Sequence, residues 1–279
     1  MSAGLLVNVG CGSVFHPAWV NIDVNPIDPS VRRWDVRRGL PFRDGEADAC
    51  YTSHVLEHLT SAAAGQLVAE CHRILRPGGI IRLVVPDLEA IARHYLQLIE
   101  RADNGESGAE ADYEWIMLEL YDQTVRSSSG GEMIRYLSRP DVPNRSFVES
   151  RIGMEGQTGG QHLNTTDPQQ LRKRVRSLSA RRMGDKLGQL LVEAVAGLVG
   201  GTDLRNAFKE GVFRNSGEVH KWMYDRYSLK RLLHHSKYID VRVCTASESR
   251  IAGFKTYQLD AVGKVARKPD SLFMEAVKP

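Results

Sequence analysis

Apolar residues in the first hundred positions fall into short blocks, each closed by glycine, proline, asparagine or an acid. Residues 5–9 and 20–24 are compact apolar runs with such boundaries and predict buried strands. From Thr60 to Leu75 the period lengthens. Ala63, Leu67, Cys71 and Leu75 recur at helical spacing, and Arg76-Pro77-Gly78-Gly79 stops the helix. Residues 80–85 form a largely apolar block around Arg82, a strand ending at Pro86-Asp87, and Leu88 to Ile99 returns to helical spacing. Strands and helices in alternation predict a parallel sheet covered on both faces.

The rhythm breaks near Asp103. From there to about Asn215 long helical patterns are separated by Ser127-Ser128-Ser129-Gly130-Gly131, Gly156 to Gly160 and Gly200-Gly201, with no strand between them. Order resumes at His220, with a helix expected over Ser228 to His235 and a strand over Tyr238 to Val243. A last strand is expected over Ser271 to Val277, after the turn-like Arg267-Lys268-Pro269-Asp270. The expected organisation is a core in two parts, 1–102 and 217–279, around a largely helical insertion at 103–216.

The composition, 42% apolar and 25% charged, is that of an ordered globular chain. A net charge of +3 does not by itself point to nucleic acid. Cys11, Cys50, Cys71 and Cys244 form no C-x-x-C pair, so reduced thiols in a cytoplasmic protein are expected. No signal sequence opens the chain, and no uninterrupted apolar run approaches the roughly 18 residues of a membrane span.

The candidate chemistry lies where the first strands end. Gly10 and Gly12 carry no side chain, so a ligand can approach the backbone closely; a plain structural turn is the alternative. Asp23, at the tip of the second strand, could accept both hydroxyls of a ribose, or else belong to a surface turn capped by Asn25-Pro26. Asp35 could accept from an adenine amino group with Val36 in apolar contact; the alternative is a solvated acid between Arg32-Arg33 and Arg37-Arg38. Only about eight residues separate Gly12 from Asn21, too few for a full crossover helix. Without that helix and without a third glycine, a pyrophosphate site is disfavoured.

The pattern resembles the class I S-adenosylmethionine-dependent methyltransferases. Val7-Asn8-Val9-Gly10-Cys11-Gly12 is similar to their glycine motif, Asp23 to the ribose-binding acid, and Trp34-Asp35-Val36 with Leu40-Pro41-Phe42 to the adenine-contact segment. Tyr51 to Leu59, with Ser53, resembles the strand end of the family, and Arg73 to Gly79 its helix-to-turn run. The resemblance covers about residues 5–100 and 220–278. It implies an α/β, Rossmann-like, doubly wound and mostly parallel sheet with a shortened first helix. It also implies S-adenosyl-L-methionine as cofactor, S-adenosyl-L-homocysteine as product, and a cofactor site at Val9, Gly10, Cys11, Gly12, Asp23, Asp35, Val36 and Ser53. Segments 217–225, 268–276 and 129–133 resemble a branch associated with bacterial glycan and glycolipid synthesis.

In that reading the reaction is O-methylation of a sugar hydroxyl in a glycan or glycolipid, which requires alignment and a base. Candidate bases are His54, Asp87 and His220. Backbone bonding by His54, helix capping by Asp87 and packing of His220 beside Trp222 stand as alternatives, and His58 is expected to be structural. No acidic cluster has magnesium-ligand spacing, so no metal is expected. The seven cations of Arg172 to Lys186, followed by Leu187, Leu190, Leu191, Val195, Leu198 and Val199, suggest peripheral contact of 172–199 with anionic membrane at the inner face. A solvated helix joined to a core or homodimer helix is the alternative. The segment lacks interleaved aromatics, so no nucleic acid is expected. Methylation of a small molecule at oxygen or nitrogen, and a non-catalytic S-adenosylmethionine-binding regulatory module, are the other functions the sequence allows.

Overall fold

The computed structural model describes residues 4–154 and 180–279, with only the backbone of 180–186. Its sheet has seven strands: β1 (Leu5–Val9), β2 (Val20–Asp23), β3 (Arg32–Arg33), β4 (Ala47–Ser53), β5 (Leu75–Pro86), β6 (Ile239–Cys244) and β9 (Ser271–Val277). A short separate pair is made by β7 (Ala261–Val262) and β8 (Val265–Ala266). The main order is β3-β2-β1-β4-β5-β9-β6. The first five strands pair in parallel, and β9 runs antiparallel to both its neighbours. This is a Rossmann-like, mostly parallel sheet. Its order reverses between β1 and β4, where strand ends part and leave a crevice.

Alternation along the strands divides the core between two faces. Val7, Val9, Ile22, Cys50, Ile81 and Leu83 pack against α1 (Ser61–Ile74) and α7 (Arg226–His235). Ala49, Tyr51, Val84 and Phe273 face the other way and meet Trp19, Ile251, Phe254 and Leu259. This second face is covered largely by loop. No helix lies between β1 and β2, so the expected shortened first helix is replaced by a loop, the short crossover leaving no room for one. Buried amides hold the crossover in its place: Asn8 Nδ2 donates to Asn21 Oδ1 at 3.0 Å, and Asn21 Nδ2 donates to the carbonyls of His16 and Trp19 at 3.0 and 2.8 Å.

Two local expectations shift. The buried face of α1 carries Ala64, Leu67, Val68, Cys71 and Ile74, so Ala63 lies off it and Thr60 is the N-cap. β5 starts at Leu75, with Arg76-Pro77-Gly78-Gly79 bulging out of the β4 ladder and Gly78 at φ 75°. Leu75 pairs with Ala47 across a register shift, and Gly78 and Gly79 exchange backbone hydrogen bonds with Lys278.

After β5 come α2 (Leu88–Asp103), α3 (Ala109–Val125), α4 (Gly131–Leu137) and α5 (Arg145–Ile152). Ile91 and Leu98 of α2 bury against Ile116 of α3, which ties the helical region to the core. Trp115, Tyr136, Val142 and Val148 make a second small core, beside the buried Arg151–Glu119 pair at 2.6 Å.

The last helix before the sheet resumes is α6 (Ala180–Arg214), broken at Gly201, where φ is 66° and ψ −157°. Leu187–Arg214 is long and apolar enough, by length and composition, to cross a membrane, although polar residues interrupt its apolar runs. It is not one straight rod. Glu193 meets Arg205 at 2.7 Å, whereas twelve residues of continuous helix would set them about 18 Å apart. Leu187, Leu190, Leu191, Val195, Leu198 and Val199 are exposed on it. The basic residues from Arg172 through Ser179 lie outside the described residues, as do the side chains of 180–186.

Candidate functional site

β1 and β4 deliver the chain to the crevice in different ways. After β1, Gly10 and Gly12 both have positive φ, 69° and 53°, and turn the backbone across the strand ends. After β4, His54 itself has φ 54°, unusual for a residue with a side chain, while its N–H still donates to the Val84 carbonyl at 2.9 Å. Such strain persists where surrounding contacts over-determine it, and it gathers at functional positions.

Between them lies a cavity of about 180 Å³ with Gly10, Cys11, Gly12, Ser53 and His54 on its wall. Asn8, Ser13, Tyr51, Asp260, Arg267 and Lys268 complete its polar lining. Burial, reinforced by the Asp23 carboxylate, pushes the Cys11 thiol up to about 12, so it is a neutral contact group and not a nucleophile.

The remaining cofactor candidates divide. Asp23 does not line this cavity; its Oδ2 accepts from Gly12 N–H at 2.9 Å and its Oδ1 from Asn25 N–H at 2.7 Å, so it braces the glycine turn at the rim. Val9 is fully buried within β1. Asp35 caps a short 3-10 helix and pairs with Arg37 at 2.8 Å, while Val36 packs on the core. Neither Asp35 nor Val36 reaches the cavity wall.

Gly10 and Gly12 differ in a measurable way. A methyl group at Gly10 would sit 2.4 Å from Val55 Cγ2, whereas at Gly12 it meets nothing within 4 Å. Gly12→Ala is expected to cost only the left-handed backbone strain, about 1 kcal/mol. Gly10→Ala adds overpacking and is expected to cost about 2–4 kcal/mol in all. Denaturant unfolding of the two variants checks this ordering, and equal losses would refute it.

A second cavity, about 470 Å³, adjoins the first, with His54 and Lys268 on both walls. The insertion contributes Gln123, Arg126, Met133, Leu137 and Ile152 to it, and the returning chain contributes Glu218 and His220. His54 therefore stands where the two spaces meet. Its Nδ1 faces Glu57 Oε1 at 3.1 Å and its Nε2 meets Ser271 Oγ at 2.9 Å.

Glu57 is fully buried. Burial alone would raise its carboxyl, but His54, with His58 and His220 behind it, more than offsets this and holds the group at about 2. An ionised carboxylate only accepts, so it favours the proton on Nδ1 of His54 and leaves the Nε2 lone pair toward Ser271.

The other two candidate bases take different positions. Asp87 caps α2, its Oδ1 accepting from Glu89 and Ala90 N–H at 3.0 and 3.2 Å, and it lines neither cavity. Burial raises its carboxyl while those two bonds oppose the rise. The structure therefore gives Asp87 the capping role. His220 lines the larger cavity, 6% exposed, its N–H bound to the Gln123 carbonyl at 2.8 Å. Burial pushes its ring down to about 3, so it is neutral near pH 7. His58 also lines this cavity, edge-on to His220 with ring centroids 4.8 Å apart, rather than serving only the helix start.

Asp260 and Lys268 escaped sequence reasoning. Asp260 is held by Tyr51 Oη at 2.5 Å and by Arg82 Nε at 2.6 Å. A signal existed: Arg82 interrupts the apolar block 80–85, and a buried guanidinium requires buried acids. The sequence gives no means of choosing which acids those are. Lys268 belongs to a segment that reads only as a turn.

Residues 7–83 match the model of a family described as a methyltransferase domain. An uncharacterized methyltransferase of Synechocystis is 44% identical over 45 residues, 16% of this chain and 21% of that protein. A probable S-adenosylmethionine-dependent methyltransferase of Mycolicibacterium smegmatis is 41% identical over 59 residues, 20% of this chain and 22% of that protein. The matched part thus spans about a fifth of each of these curated relatives. Among solved structures, a SAM-dependent methyltransferase of Thermotoga maritima aligns with 99% of this chain and 83% of its own, at 10% identity and TM-score 0.40. One from Archaeoglobus fulgidus covers 99% and 87%, at 10% identity and TM-score 0.39.

Proposed function

We propose that the chain is an S-adenosyl-L-methionine-dependent methyltransferase that methylates a hydroxyl of a sugar in a glycan or glycolipid. One observation carries the reading: His54 is shared by a cavity at the glycine turn and a larger cavity built by the insertion. The match of residues 7–83 to a methyltransferase domain supports S-adenosylmethionine as occupant of the first. Gly10, Cys11, Gly12 and Ser53 would then hold its methionine side, with Asp23 at the rim for the ribose.

The reaction is an in-line displacement in which an acceptor oxygen attacks the methyl carbon, sulfur leaves with the bonding pair, and the oxygen loses its proton. His54 Nε2 takes that proton once the acceptor hydroxyl has displaced Ser271 Oγ, while Glu57 keeps the ring in its orientation. The polar wall of the larger cavity, with Gln123, Arg126, Glu218 and Lys268, suits an acceptor rich in hydroxyls. A small acceptor at oxygen or nitrogen fits the same description of that wall.

Calorimetry with S-adenosylhomocysteine against NAD tests the cofactor; tight NAD binding without the former would end this reading. Asp23→Ala is expected to weaken S-adenosylhomocysteine about 10- to 100-fold, the loss of a charge-assisted hydrogen bond. A labelled-methyl assay then separates acceptors. Label in glycan extracts supports the sugar, label only in small acceptors rejects it, and cofactor binding with no transfer to any acceptor indicates a regulatory module.

Position at the inner face of the membrane, in the cytoplasm, is the corresponding proposal for 172–199. The exposed apolar residues of α6 and the cations preceding it support it. The pure protein is expected to sediment with anionic vesicles at low salt and to release at high salt. A homodimer that ignores vesicles would assign the apolar face to self-association.

A further inference from the structure

His58 and His220 line the larger cavity and come together with the buried Glu57, although His220 arrives from beyond the entire insertion. The approach is fixed by backbone. Lys221 and Trp222 N–H both donate to the Glu57 carbonyl, at 2.7 and 3.2 Å. One ligand atom from each of the three side chains lies within 4.8 Å of the others.

Their polar atoms are orphaned. Glu57 Oε1 and Oε2, His58 Nδ1 and His220 Nδ1 are all buried without a hydrogen-bond partner. Oε1 has only the 3.1 Å contact with Nδ1 of His54, and Oε2 has none. Glu57 is fully buried and His220 is 94% buried (6% exposed). Unsatisfied buried polar atoms cost about 1–3 kcal/mol each, more for a charged group, so three such side chains brought together call for an occupant.

We propose that Glu57, His58 and His220 bind a divalent transition-metal ion. Two imidazole nitrogens and one carboxylate oxygen suit zinc, iron or cobalt, and supply too few oxygens for calcium or magnesium. His58 is also held by a hydrogen bond to the Val219 backbone, while its Nδ1 has no partner. This is the outer-shell arrangement by which metal-binding histidines are oriented. Oε1 of Glu57 stays with His54 while Oε2 faces the ion. Three protein ligands leave the remaining coordination positions open to the cavity. Ligands of a tetrahedral ion lie about 3.4 Å apart, so binding draws the three groups together. The site does not depend on the methyl-transfer reading.

The test uses the full chain, stripped with a chelator and titrated with Co²⁺ as the spectroscopic probe. The expected result is one equivalent per chain, with the intense visible absorption of four- or five-coordinate cobalt, displaced by Zn²⁺. Glu57→Gln and His220→Asn are each expected to weaken Co²⁺ at least about 10-fold, while the exposed His234→Ala leaves it unchanged. Circular dichroism reports whether the variants fold. Should they not, the wild type decides: fewer than one equivalent, or only the weak spectrum of octahedral aqueous cobalt, overturns the site. Wild-type affinity in both folded variants overturns it too. S-adenosylhomocysteine calorimetry on the same samples separates failure of the metal site from failure of the methyltransferase reading.

Discussion

Arg82→Met is expected to destabilise the protein by about 3–5 kcal/mol, a fall in Tm on the order of 10 °C. Arg82 is completely buried in the middle of β5, and each of its contacts is specific. Nε donates to Asp260 at 2.6 Å, and Nη1 donates to Glu275 and to the Glu248 carbonyl, both at 2.8 Å. Nη2 donates to the Thr245 carbonyl at 2.9 Å, and the guanidinium lies over the ring of Phe254, 4.6 Å from its centroid. Methionine fills much of the volume but leaves Asp260 buried without a cation and Glu275 with only Arg250, at 3.3 Å. The cost is the penalty on those two carboxyls, and not the worth of the ion pairs themselves. Replacing all three together, Arg82→Met with Asp260→Asn and Glu275→Gln, should therefore recover much of the loss. Denaturant unfolding measures both, and a single-variant loss below about 1 kcal/mol would reject this account. Because Asp260 also lines the smaller cavity, the single variant should weaken S-adenosylhomocysteine as well.

His54→Gln is expected to lower methyl transfer about 10²- to 10⁴-fold, the usual contribution of a positioned base, while S-adenosylhomocysteine binding stays within a few-fold. The separation of turnover from cofactor affinity is the informative part. His54 is one residue on a wall that the glycine turn mainly forms, yet it sits where the two cavities join, with Glu57 behind its Nδ1. A parallel loss of cofactor affinity would make His54 a binding residue, and unchanged turnover would remove it from the reaction. Asp87→Asn is the useful contrast, because asparagine caps a helix nearly as well as aspartate. It should leave both quantities close to wild type.

Much of the sheet could be read along the chain. The apolar blocks at 5–9, 20–24 and 271–277 stand out because buried strands need little beyond β-branched and aliphatic residues between turn formers. The eight-residue gap after Gly12 excluded a crossover helix by length alone. Less legible was what replaced that helix: Trp19, Ile251, Phe254 and Leu259 cover the sheet face from distant parts of the chain. The continuation of β5 back to Leu75 through the bulge at Arg76 to Gly79 was likewise hidden, since that bulge is bonded to Lys278 at the far end.

The site divides in the same way. Gly10, Gly12, Ser53 and His54 could be named from sequence because each closes a strand, and parallel strands bring their C-terminal ends to one crevice. Whether a side chain there stays available was not encoded locally. Asp87 turned to its own helix, Asp35 to Arg37, and Glu57 inward to three histidines, one of them from beyond the insertion. By itself the sequence determined the strands, their ends and the glycine turn, since period and turn chemistry act over a few residues. Only the tertiary structure decided the partners of the buried charges, because a charge removed from water is satisfied by whichever group packing brings within about 3 Å, however far away it lies in the chain.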